Sequence, residues 1–150
     1  MKAFYILAIL AVVSSAFADW NPKTASEIKE IRVECVKEHP LTEDVIAKMK
    51  QFDYPDVESV RKYLLCTATK MDIFCEHEGY HPDRVAKQFR MDLDESEALT
   101  IVEGCVDKNE QGSPVDVWAF RGHQCIMRSK IGDKVKAYIK KRLEEASKSK

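Results

Sequence analysis

Residues 57–79 read VESVRKYLLCTATKMDIFCEHEG, and their reading decides the fold. Val60, Leu64, Ala68, Met71 and Cys75 recur at intervals of three and four, one stripe of an α-helix, with Phe74 beside it. Pro55-Asp56 breaks the chain ahead of the stretch and Gly79 closes it, so the spacing predicts a long helix over about 57–77. The same stretch holds two of five cysteines. From Cys35 the gaps are 30 residues to Cys66, 8 to Cys75, 29 to Cys105 and 19 to Cys125.

The regions on either side carry the same helical signals. Thr24 with Glu27 makes a capping box for a helix to about Glu38, stopped by Pro40. Thr42 caps a second helix, with Leu41 and Ile46 at the positions of a hydrophobic staple. Pro82 begins a short fourth helix to about Arg90. Asp94 with Glu97 opens a fifth, over about 95–108. Ser113-Pro114-Val115-Asp116 starts a sixth, with Pro114 at its first position, and Gly132-Asp133 separates it from a last helix over about 134–145. Strand signals are scarce. The fold class is all-α: six or seven short helices in one domain over 19–150.

Ahead of that domain, Met1-Lys2, an apolar run over 3–13 and Ala16-Phe17-Ala18 have the form of a secretory signal peptide, so residues 1–18 are expected to be removed. The apolar run is too short to span a bilayer. Without its one lysine the chain carries 23 basic and 25 acidic side chains. Such a mixed surface gives no case for nucleic acid. In an exported helical chain, Cys35, Cys66, Cys105 and Cys125 read as two disulfides, though spacing leaves three pairings open. Cys75 reads as a buried free thiol on the third helix. Bridging it to Cys66 would span about 13 Å of helix, beyond disulfide reach.

Leader, helix number and cysteine spacing together resemble the insect odorant-binding family (pheromone and general odorant-binding proteins). That family has six cysteines, and the places of its second and fifth, partners in one bridge, fall here on Lys62 and Asp116. Loss of both halves matches the four-cysteine "minus-C" branch. The resemblance implies the pairs Cys35–Cys66 and Cys105–Cys125. It also implies that Leu64, Ala68 and Ile126 line a pocket for a small hydrophobic molecule. With the remaining apolar positions, the candidate ligand residues are Phe52, Leu64, Ala68, Met71, Phe74, Phe89, Leu99, Val102, Trp118, Ala119 and Ile126. An apolar stripe is ordinarily core, and the resemblance is what turns it into a cavity wall. These side chains carry no charge, so a neutral or amphiphilic ligand is expected.

The implied function is a secreted carrier, with a membrane receptor as a further partner and a monomer or weak dimer as its state. The rival is a secreted interaction, immune or salivary effector with a solid core. No enzyme is indicated: Gly-x-Ser-x-Gly and phosphate-loop motifs are missing, and although residues 77–81 spell His-Glu-x-x-His, Gly79 inside that string closes the third helix. No cofactor is expected. Glu76-His77-Glu78 with His81 and Asp83 has metal-binding residue types but reads better as a solvated helix end, so no metal is assigned. His123 is expected as a half-buried, satisfied imidazole. Over 134–145 only Val135, Tyr138, Ile139 and Leu143 are apolar, at helical spacing, which predicts an amphipathic helix docked outside rather than a tail filling the pocket.

Overall fold

The capping box is formed: Thr24 Oγ1 accepts from the Glu27 amide, and the Glu27 carboxylate accepts from the Thr24 amide at 2.7 Å. It opens α1, Ala25–Glu38, in a computed structural model that describes residues 19–148; the leader expected over 1–18 lies outside them. Six helices follow: α2 (Glu43–Lys50), α3 (Glu58–Lys70), α4 (Pro82–Phe89), α5 (Glu95–Glu103), α6 (Val115–Arg128) and α7 (Lys130–Lys148). A two-stranded antiparallel hairpin, β1 (Phe74–Cys75) and β2 (Gly79–Tyr80), sits between α3 and α4. Among the described residues no helix is long and apolar enough to cross a membrane.

Disulfides Cys35–Cys66 and Cys105–Cys125 tie α1 to α3 and the end of α5 to α6. Closing loops of 31 and 20 residues, they contribute on the order of 3–4 kcal/mol each in the chain-entropy account. One buried cluster, around Cys35, Val60, Tyr63, Leu64 and Phe120, lies under the first bridge. A larger one, including Ala68, Phe74, Val85, Val102, Trp118 and Ile131, joins α3 to α7 through the hairpin.

Four expectations are corrected. First, α3 stops at Lys70, about seven residues early. Asp72 turns left-handed (φ 57°), Ile73 N–H reaches back to Ala68 O at 3.1 Å, and Arg84 holds both the Asp72 carbonyl and carboxylate at 2.8 Å. The chain then enters the hairpin, whose Gly79 (φ +78°) lies flat against Trp118; a Cβ there would meet its ring at 2.4 Å. Cys75 is therefore free, half-exposed and on a strand, so helical separation from Cys66 does not explain its free state. Second, α5 ends at Glu103, because Asp107 is drawn to α6 by a two-pronged contact with Arg121 (2.7 and 2.9 Å). Third, Pro114 occupies the N-cap position instead of the first helical one. Fourth, Gly132 does not break the chain. It lies inside α7, where a Cβ would sit 2.2 Å from Met127 O, so glycine lets α7 follow directly on α6.

Candidate ligand cavity

Between the two buried clusters lies a cavity of about 700 Å³, within the range of small-molecule sites. Its wall draws on every helix except α5. α1 supplies Arg32 and Val36, and α2 supplies Ile46 and Met49, followed by Phe52 and Tyr54 in the next turn. α3 gives Tyr63, Leu64, Thr67 and Ala68; the hairpin and α4 give Tyr80, Val85 and Phe89; α6 gives His123, Ile126 and Met127. The staple pair Leu41 and Ile46 also faces it, so the device that starts α2 doubles as wall.

Of the eleven candidates, Phe52, Leu64, Ala68, Met71, Phe89 and Ile126 border the cavity. Phe74, Val102, Trp118 and Ala119 are buried in the core behind it, and Leu99 packs against that core. α5, which carries Leu99 and Val102, faces α4 and α7 rather than the space. Phe74 makes edge contacts with Tyr80 (5.0 Å) and Trp118 (5.5 Å), which places it behind the wall residue Tyr80.

Helix α7 closes one side. Val135, Ile139 and Leu143, at a spacing of four, face the cavity. Their helix is held outside by Lys130–Glu97, by Lys134–Asp92 at 2.7 Å and by Lys136 Nζ on Met127 O at 2.7 Å. Its cations thus stay at the surface, where solvation costs nothing, while an apolar edge completes the wall. Val36 and Leu143, both exposed and both lining, mark the mouth.

The polar inventory of the wall was not legible from the apolar stripes. Arg32, Lys50 and His123 border the cavity, and among the described residues no carboxylate does. His123 stacks edge-on with Tyr54 (4.6 Å), and its Nδ1 is shielded from solvent with no hydrogen-bond partner among the described residues. The expectation of a satisfied imidazole is corrected accordingly. Burial, helped by the nearby Arg32 charge, lowers the His123 pKa to about 4, so the ring is neutral at pH 7. Burial also raises the Tyr54 and Tyr63 hydroxyls, against the pull of Arg32. The one available signal was spacing: Arg32 lies one turn from Val36 on α1, and His123 one turn from Met127 on α6.

Comparison with known proteins adds the lineage. Residues 17–129 match the PBP/GOBP family. Odorant-binding protein 22 of Aedes aegypti is 32% identical over 141 residues, covering 94% of this chain and 99% of that protein. General odorant-binding protein 99a of Drosophila melanogaster is 32% identical over 133 residues, covering 87% and 92%. The B1 protein of Tenebrio molitor is 27% identical over 104 residues, covering 69% and 78%. The family match ends at Ser129, so α7 and its contribution to the wall lie beyond it.

The chain belongs to the PBP/GOBP family.

Proposed function

We propose that this family member is a secreted, non-enzymatic carrier that takes up an amphiphile with a long apolar body and an anionic head, of the fatty-carboxylate class. The cavity carries the reading: an apolar space of about 700 Å³ whose charged lining, among the described residues, is cationic. Apolar burial is the driving force, at roughly 0.8 kcal/mol per buried methylene before ordering costs. Phe52, Leu64, Ala68, Met71, Phe89 and Ile126 contact the apolar body. Phe74, Leu99, Val102, Trp118 and Ala119 support the wall from behind. Arg32, Lys50 and the unpaired His123 Nδ1 receive the head, replacing the uncharged pocket expected from the apolar residues alone.

Within this reading the mature protein starts at Asp19, works as a monomer or weak dimer in extracellular fluid and presents its ligand to a membrane receptor. Two intact disulfides suit an oxidising compartment. Lys62 and Asp116, standing where bridge partners are lost together, support placing the chain in the four-cysteine branch.

Displacement of a fluorescent lipophile by a long-chain carboxylate and by its methyl ester tests both parts. Saturable one-to-one binding with the acid at least tenfold tighter than the ester, about 1.4 kcal/mol, is the expected result. Equal affinities would refute the cationic head site. No saturable binding at all would refute the carrier and leave a surface-acting effector.

A further inference from the structure

The early end of α3 brings together three side chains that the carrier reading does not use. Cys75 lies on β1, Glu78 in the turn of the hairpin and His81 just after β2, a Cys-x2-Glu-x2-His spacing. The Cys75 sulfur, a Glu78 carboxylate oxygen and a His81 ring nitrogen all lie within 4.8 Å of one another. His81 Nδ1 is 3.6 Å from Glu78 Oε2, and the Glu78 amide donates to Cys75 Sγ at 3.4 Å. None of the three borders the cavity.

We propose that Cys75, Glu78 and His81 form a site for one thiophilic divalent metal ion of the zinc class, separate from the cavity. A tetrahedral ion at 2.0–2.3 Å from its donors holds them about 3.5 Å apart, so small rotations of these side chains bring them to coordination distance. Thiolate, imidazole and carboxylate together suit zinc, whereas calcium and magnesium want oxygen alone. Three protein ligands leave the fourth position to water. The N–H···S contact holds the sulfur in place, and the thiol proton leaves to solvent when the ion binds.

The hairpin is a rigid support for such a site. Phe74 pairs with Tyr80 and Cys75 with Gly79, and His81 N–H donates to Ile73 O at 2.9 Å. Gly79 is seated on Trp118, and the Tyr80 hydroxyl donates to Ala119 O at 3.0 Å. The other donor triplet among the described residues, Glu38, His39 and Cys66, fails on chemistry, because the Cys66 sulfur is in a disulfide.

Titration of metal-stripped, disulfide-intact protein with cobalt(II), followed by zinc(II) competition, tests the site. The expected result is one ion per chain with a thiolate-to-cobalt charge-transfer band, displaced by zinc. Cys75→Ser should abolish the band, and Glu78→Gln and His81→Gln should each weaken binding at least tenfold. His77→Gln should leave it unchanged. Bound zinc should slow alkylation of Cys75 in the native protein. Thermal melts of the metal-free variants verify the fold; if His81→Gln does not fold, Cys75→Ser and Glu78→Gln decide. The proposal is overturned if no saturable one-to-one binding occurs, if the band is missing, or if folded Cys75→Ser binds cobalt as the parent does.

Discussion

Arg61 Nε lies 2.9 Å from Asp116 Oδ2, so an ion pair ties α3 to α6. Arg61 also reaches Asp56 at 2.7 Å, and the two carboxylates raise its already high pKa. The tie between the two helices is charge-assisted, directional but open to screening. Arg61 and Asp116 are both well shielded, which favours the pair over an ordinary surface contact.

Asp116→Ala should therefore lower stability by about 1 kcal/mol, with Arg61 left to Asp56 alone. Chemical denaturation at low and high salt should show the gap between variant and parent narrowing as salt rises. A loss independent of salt would mean that packing, not charge, makes the contact.

Ala68 borders the cavity, and its substitution separates an open space from a filled one. Ala68→Trp should occupy the cavity, weaken long-chain ligands tenfold or more, about 1.4 kcal/mol, and leave the melting temperature close to the parent's. A solid core would instead be overpacked, with a stability loss of roughly 1–3 kcal/mol. Melts and lipophile displacement on the one variant distinguish the two.

His123 makes stability depend on acid. The native ring titrates at about 4 and the unfolded one near 6.5, so below pH 6.5 the unfolded chain binds a proton that the native chain does not. Stability attributable to this group is whole above pH 6.5 and falls as pH drops toward 4, by at most about 3 kcal/mol. His123→Phe should flatten the denaturation profile in that window. A profile as steep as the parent's would assign the acid sensitivity to other groups.

Gly132→Ala should destabilise by roughly 1–3 kcal/mol, because the added methyl meets the Met127 backbone and α7 must move away from α6. Urea melts check the size, and ligand affinity should fall with it, since Ile131 and Val135 move as well.

Truncation after Ser129 removes a wall of the cavity. Both stability and ligand affinity should drop. A truncated chain that kept its stability and bound more tightly would show that α7 competes with ligand for the space.

The helical reading was legible because each helix carries its own signals. Thr24 with Glu27, Thr42 with Leu41 and Ile46, and Pro82 all act through neighbours a few residues away, and the helices they open stand where expected. The ends that moved answer to distant partners. α3 stops where Arg84 holds Asp72, α5 stops where Arg121 takes Asp107, and Gly132 is permissive only because Met127 lies against it.

The same division runs through the cavity. Hydrophobic periodicity marked side chains that turn inward; the family resemblance implied that Leu64, Ala68 and Ile126 line a pocket, and they do border the space. It could not separate them from Phe74, Val102 or Ala119, because wall and core residues share one helical period and differ only in what stands opposite. By itself the sequence determined an all-helical chain, its cysteine set and its inward faces, all short-range or compositional properties. Only the tertiary structure decided which inward faces leave a gap, that Arg32 and His123 meet at it, and that Cys75 turns onto a hairpin beside His81. Those relations join residues far apart in the chain, and packing alone sets their distances.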